Sequence, residues 1–288
     1  MANLKNLKLR IRSIQSTQKI TKAMKTVSAS KLKKARKAVE TNRPYFKKIN
    51  EITKIIARHS YDARYVPLFY GYKDIKNVVF VVITSDRGLC GALNSSVVRI
   101  MKQKLAESKA QDYTVTILCI GKKGYEQLKT LHGIKIRLID DFVHNKPIAV
   151  ESLQILARNL ITDYMSGILD VCYVFFNKFI SSLSYNSTFR QVIPLFTKQE
   201  VLTSNVNNHF MCEPKAEEIV DNLVERNLTL HLISMILENV ASEHGARMSA
   251  MDNASCNAYE LIKDLSLIYN KTRQTAITTE LMDIKNAL

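Results

Sequence analysis

Residues 215–286 read KAEEIVDNLVERNLTLHLISMILENVASEHGARMSAMDNASCNAYELIKDLSLIYNKTRQTAITTELMDIKN, with no proline and a single glycine, Gly245. Alternate steps of four and three from Ile219 reach Leu223, Arg226, Leu230, Ile233, Leu237, Val240, His244, Arg247 and Met251. The same steps continue through Ala254, Ala258, Leu261, Leu265, Ile268, Thr272, Thr275, Thr279 and Met282. Thirteen of these 19 positions are apolar, the a/d seam of a coiled coil. A helix over this stretch would be about 105 Å long. That exceeds the width of a domain of this size, so part of it is expected to project beyond the globule.

A second breaker-free segment lies at the other end. Seven of the eight glycines fall between 71 and 167, and the first 70 residues hold no glycine and only Pro44 and Pro67. The N-terminal segment carries a thinner seam of Leu4, Leu7, Ile11, Ile14, Ile20, Met24, Val27 and Leu32, interrupted by the polar run Gln15–Gln18. Ala23, Ala29, Ala35 and Ala38 leave room for a second helix to approach. One apolar stripe with bases elsewhere fits a helix wound around one partner, and the C-terminal helix, antiparallel to it, is the nearest available. Pro44 is expected to kink or interrupt the first helix. Gly245 costs the second about 1 kcal/mol of helix propensity.

The middle alternates strand and helix signals. Strands are expected at Val78–Thr84, Tyr113–Ile120, Ile134–Ile139, Val171–Phe179 and Phe189–Phe196, and helices at Asn94–Glu107, Gly124–Leu131 and Ala149–Met165. Repeated β-α-β units imply an α/β, Rossmann-like domain with a mainly parallel sheet, and the last two strands an antiparallel edge hairpin. The expected organisation is a coiled-coil helix over 1–60, a central α/β domain over 61–212, and a coiled-coil helix over 213–288.

With 288 residues, 46% hydrophobic and 24% charged, the chain has material for about two domains and none of the signs of disorder. Its formal charge of +16 is unevenly placed. Residues 1–60 hold 17 Lys and Arg against Glu40 and Glu51, whereas residues 214–288 hold seven bases against eleven acids. The strongly apolar runs are strand-sized, too short to span a bilayer. No apolar region follows the N-terminal charges as a secretory signal requires, and the helical pattern runs past residue 55 without the boundary of a presequence. Cys90, Cys119, Cys172, Cys212 and Cys256 form no C-x-x-C pair and fit a reducing compartment, with Cys119 and Cys172 read as buried thiols. The six histidines show no metal-ligand spacing.

Thr84-Ser-Asp-Arg-Gly-Leu-Cys-Gly-Ala-Leu-Asn94 follows a strand and opens a helix, where phosphate-binding loops sit, but it matches neither dinucleotide nor P-loop spacing. Gly121-Lys-Lys-Gly124 reads as a turn. Ser85 and Asp86 with a histidine would lack a nucleophile elbow, and Asp86 reads as a turn or cap residue, so no catalytic centre is expected. His244 and Arg247 interrupt the seam and read as register or subunit contacts. For the basic helix, nucleic acid and a protein partner with acidic loops remain open alternatives.

Ile14-Gln-Ser-Thr-Gln-Lys-Ile-Thr-Lys-Ala-Met24 and Ser28-Ala-Ser-Lys-Leu32 resemble the N-terminal helix of the gamma subunit of F-type ATP synthases. Ser242-Glu-His-Gly-Ala-Arg-Met-Ser-Ala-Met-Asp-Asn-Ala254 and Tyr269-Asn-Lys-Thr-Arg-Gln-Thr-Ala-Ile-Thr-Thr-Glu-Leu281 resemble its C-terminal helix, and Thr84–Asn94 its central loop. The resemblance, to the bacterial type, implies a rotor axle inside a ring of three alpha and three beta subunits. It implies a foot bound by the epsilon subunit and the c-ring, and an indirect link to delta. It implies no catalytic residue, cofactor, metal, nucleic acid or directly bound nucleotide, with catalysis on beta. Lys22, Met24 and Lys25 would face the acidic lever loop of beta, and Arg273 and Gln274 a catch loop. Phe210 and Glu213 would lie near epsilon and the c-ring. The family's place is the cytoplasmic face of a bacterial cell membrane, with the mitochondrial matrix face as alternative. Two departures stand out: Met282–Leu288 is shorter than the family tail and lacks its glycine, and Gly245 replaces a usual alanine.

Overall fold

The run Asn77–Ile83 (β1), almost entirely buried, has no polar face, as a strand covered on both sides requires. In the computed structural model, which describes residues 2–59, 66–71, 74–139, 150–196 and 216–286, it is the central strand of a five-stranded sheet. Around it lie the helices Ala2–His59 (α1), Val66–Tyr70 (α2), Leu93–Ala110 (α3), Lys122–Leu128 (α4), Val150–Met165 (α5) and Ala216–Asn286 (α6). The other strands are Thr114–Ile120 (β2), Lys135–Ile139 (β3), Val171–Phe179 (β4) and Tyr185–Ile193 (β5). Their order is β3-β2-β1-β4-β5, parallel except for β5, which pairs antiparallel with β4 at the edge as the hairpin reading expects.

The chain divides into two compact units, one of residues 1–31 with 247–288 and the other of residues 32–246. The larger is a three-layer α/β/α sandwich. Phe80, Val82, Ile117, Cys119 and Phe175 on one sheet face pack against Val97, Met101 and Leu105 of α3 and Leu128 of α4. Val81, Ile83, Cys172 and Val174 on the other meet Leu153, Ala157 and Leu160 of α5 and Val224, Leu228, Leu232 and Met235 of α6. Right-handed crossovers produce this sidedness: α3 and α4 precede the strands stacked on one side of β1, and α5 returns the chain across β1 to β4.

In the same unit α1 and α6 run antiparallel. Ala35 and Val39 cluster with Leu237 and Ala241, His231 Nε2 lies 3.3 Å from Asn50 Oδ1, and Asn227 Nδ2 donates to Thr53 Oγ1 at 2.8 Å. Pro44 sits inside α1 without interrupting it. The ring removes one donor, but on an exposed turn the freed Glu40 carbonyl can face water.

The buried positions of α6 correct the expected seam. In the larger unit Val224, Leu228, Leu232, Met235, Ile236 and Asn239 are among the buried residues, whereas Leu223, Leu230, Ile233, Leu237 and Val240 are half-buried and Arg226 is exposed. This stretch is enclosed by the sheet layer as well as by α1, so a stripe built for one partner underestimates it. A buried amide node fixes it to the sheet. Asn239 Oδ1 accepts from Asn177 N at 3.3 Å and Asn177 Nδ2 at 3.0 Å, Ser242 Oγ donates to Asn177 O at 3.2 Å, and Ser187 Oγ donates to Asn177 Oδ1 at 2.7 Å.

Gly245 proves to be a contact requirement as well as a propensity cost. A Cβ there would come 2.9 Å from the carbonyl oxygen of Ser182, in the β4–β5 turn. Gly245→Ala gains about 1 kcal/mol of helix propensity but overpacks against backbone, which costs about 1–3 kcal/mol. Denaturant unfolding of the full chain is expected to show a net loss of about 1 kcal/mol.

Candidate functional site

The smaller unit is a pair of helical segments that hold Lys22, Met24, Lys25, Arg273 and Gln274. On α1 the covered positions include Leu4, Leu7, Ile11, Ile14, Gln18, Thr21, Lys25 and Ser28, which alternate strictly by three and four, with Met24 and Ala29 half-buried beside them. The apolar seam expected through Ile20 and Val27 is therefore corrected. Ile20 and Val27 are 57% and 56% exposed, Met24 is half-buried, and the seam passes through polar residues instead. On α6 Met251, Ala258, Leu265 and Thr272 are covered as expected. Between them the seam uses Ser255, Ile262, Tyr269 and Ala276, with Leu261, Ile268, Thr275, Thr279 and Met282 exposed. The steps of four and three occur in the reverse order, which Leu261-Ile262 and Ile268-Tyr269 leave open because both members are apolar.

Lys25 lies on the polar seam and donates to Asp252 Oδ1 at 2.7 Å, an ion pair within this unit with side chains 43% and 47% exposed. Lys22 is exposed beside it, and Arg273 and Gln274 are exposed further along α6. The 21 residues from Asp252 to Arg273 amount to about 30 Å of helix. Lys22, Met24 and Lys25 thus form one station, and Arg273 and Gln274 another. The threonines around the second station do not compete for a partner. Thr272, Thr275, Thr278 and Thr279 hydroxyls donate to carbonyl oxygens one turn back at 2.9–3.0 Å. Arg273 and Gln274 have no side-chain partner among the described residues, so a planar guanidinium fork and an amide face outward from a row of methyl groups. Phe210 and Glu213 lie outside the described residues.

The loop after β1 spends its donors internally. Ser85 N donates to Asn94 Oδ1 at 3.0 Å and Asn94 Nδ2 to Ser85 Oγ at 2.8 Å. Asp86 acts as a cap, accepting from Lys122 N at 3.1 Å at the start of α4, and Thr84 Oγ1 accepts from Gly124 N at 3.0 Å. Gly121, at φ +106, has Thr84 against the place of a Cβ. The loop therefore ties β1 to α4. Burial pushes the Cys119 thiol up to about 12 and raises Cys172 as well, making both inert thiols. Cys212 lies outside the described residues. Among the described residues no group of three or more His, Cys, Asp or Glu could hold a metal, and no helix is long and apolar enough to cross a membrane.

Residues 3–287 match the family model described as ATP synthase. The ATP synthase gamma chain of Magnetococcus marinus is 40% identical over 285 residues, covering 99% of this chain and 97% of the relative. This chain belongs to the ATP synthase gamma-chain family. As a member it is a central-stalk rotor subunit of ATP synthase, and the nucleic-acid alternative is set aside. A chain of the Tetrahymena thermophila mitochondrial ATP synthase central stalk and c-ring aligns with TM-score 0.60 at 27% identity, over 82% of this chain and 99% of that one. A chain of the Euglena gracilis mitochondrial ATP synthase, from an assembly of OSCP, F1 and c-ring, shares the fold with TM-score 0.67 at 18% identity, over 99% and 93%.

For a gamma chain, Asp252 is the residue missed in sequence. Continuing the 4-7-11-14 spacing to Lys25 would have put a cation on the seam and called for an acid opposite. Because both partners are substantially solvated, a Lys25→Ala/Asp252→Ala double-mutant cycle is expected to give about 0.2–1 kcal/mol at low salt, falling towards zero at about 1 M salt. Unfolding curves of the four full-length chains measure it.

Proposed function

We propose that this chain is the non-catalytic shaft of the enzyme, turned by proton flow through the membrane sector and carrying that rotation to ATP synthesis at the catalytic sites of the beta subunits. In this reading residues 1–60 and 213–288 form the axle inside a ring of three alpha and three beta subunits, and residues 61–212 the foot. The foot meets epsilon and the c-ring, with Phe210 and Glu213 at that contact. The position is peripheral, on the cytoplasmic face of a bacterial membrane. Lys22, Met24 and Lys25 face the acidic lever loop of beta, and Arg273 and Gln274 the catch loop.

The observation that carries the reading is the outward, unpartnered Arg273–Gln274 pair on a helix whose neighbouring hydroxyls are satisfied. A rotor needs contacts that form and release at each step. Solvated charge contacts have shallow wells, whereas deeply buried apolar anchors would hold one orientation. A guanidinium fork can grip a carboxylate in a defined direction and still let go when the shaft turns.

The chain is expected to co-purify at one copy per three alpha and three beta subunits, counted by quantitative subunit analysis. Its recovery as a separate nucleic-acid-bound protein would sink the reading. In the assembled complex Arg273→Ala is expected to lower coupled turnover about tenfold, the equivalent of one charge-assisted hydrogen bond. Nucleotide binding to beta should be retained. Unchanged coupled turnover rejects the catch role.

A further inference from the structure

We propose that the cleft between α1, β5 and α6 in the larger unit is a binding site for a free, phosphate-sized oxyanion. It is about 200 Å³ and is lined by Asn50 and Lys54 of α1, Arg190 and Gln191 of β5, Phe196, and His231 of α6, together with apolar neighbours. No carboxylate is among its lining residues. The volume is below the roughly 300 Å³ at which pockets for drug-sized ligands begin, which selects a small ion.

Two permanent cations face this space without a counter-charge of their own. Among the described residues neither Lys54 nor Arg190 makes an ion pair, and the Lys54 ammonium is held 5.5 Å over the Phe196 ring. The acid that feels Arg190 is Glu238 of α6. Its charge also serves Arg43 and Lys178, and burial pushes its carboxyl pKa upward. His231 joins as a neutral ring: burial first, then Arg190 and Lys54, push its pKa down to about 4. Asn50 Oδ1 at 3.3 Å from Nε2 orients that imidazole. A guanidinium fork, an ammonium and neutral donors around a small partly enclosed volume are the elements of phosphate recognition. Their mutual repulsion, offset in part by Glu238 and by solvent at Arg190, falls further when an anion enters. Nothing in a shaft or foot role requires this arrangement.

The test titrates the full chain with inorganic phosphate, ionic strength being held constant with chloride. It follows the thermal midpoint and the His231 imidazole NMR signals. The His231 signals are expected to shift saturably, with half-effect at about millimolar phosphate, and the midpoint to go on rising with the logarithm of phosphate above that concentration. Arg190→Gln and Lys54→Gln, each read separately so that one misfolded variant leaves the other informative, should weaken the apparent affinity about tenfold. Lys33→Gln, an exposed cation of α1 outside the cleft, should leave it unchanged. Bound phosphate favours the imidazolium, so the His231 pKa should climb from about 4, a shift that a purely structural cleft would not produce. A His231 signal shift that does not saturate, an equal loss in Lys33→Gln, or an unmoved His231 pKa overturns the proposal. Phosphatidylglycerol vesicles distinguish the source. Vesicle capture that phosphate displaces and Arg190→Gln abolishes makes a lipid headgroup the occupant and overturns the free ion. Capture insensitive to both supports the free ion.

Discussion

A single helix, α6, has to satisfy two packing environments along its 71 residues. Up to Ala246 it belongs to a unit with a sheet, and Val224, Leu228, Leu232 and Met235 enter the same core as Ile83, Leu153 and Leu160. From Arg247 onward it belongs to a unit made of helical segments, and only a stripe is covered. An isolated helix of this length gains little per residue from propensity, so its stability has to come from packing. The first stretch obtains it from a three-layer core. The second obtains it from one seam.

The larger unit holds its part of α6 by shape and polarity together. Asn177 is fully buried in β4 with its backbone and amide groups all engaged, three of them by α6 through Asn239 and Ser242. A polar node in an apolar layer costs desolvation, and it is tolerated when its hydrogen bonds are made. In return it defines one axial setting, because sliding by a turn would strand several buried groups at once. The close approach at Gly245 acts in the same direction, since no other residue of the helix could bring its backbone so near the Ser182 carbonyl.

Local patterns in the sequence carry much of this architecture. The order of β-α-β units, the antiparallel last hairpin and both long helices follow from breaker placement and apolar runs, each a local signal. What resisted was phase. At Ile20 and Val27 the larger apolar side chains drew the expected seam, while the covered positions were Gln18, Thr21, Lys25 and Ser28. Hydrophobicity marks a seam only where the partner supplies apolar surface, and here spacing was the better guide. On α6 the adjacent pairs Leu261-Ile262 and Ile268-Tyr269 gave two seams of equal apolar content. The Asn177–Asn239 node and the Ser182–Gly245 approach depend on residues more than 60 positions apart, which no local pattern reports. The residues of the two stations were legible through family resemblance, but the pairing of Lys25 with Asp252 and the lack of a side-chain partner for Arg273 and Gln274 among the described residues were not.

The polar seam and the exposed apolar side chains have one physical reading in common. Gln18, Thr21, Lys25 and Ser28 give the helical pair less burial free energy than four leucines would, at about 25 cal/mol per Å² of apolar surface. They specify register at a cost in stability. Ile20 and Val27, which would have paid that difference inside the seam, lie on the outside among exposed bases. A chain selected for the stability of the pair alone would have these residues exchanged. In the proposed axle, apolar side chains between bases let a surrounding surface make contact without a strong anchor, while the charges keep each contact solvated and exchangeable. Over residues 18–28 the distribution of polarity is therefore the reverse of what an isolated coiled coil needs, and it suits a helix whose working surface faces away from its own partner.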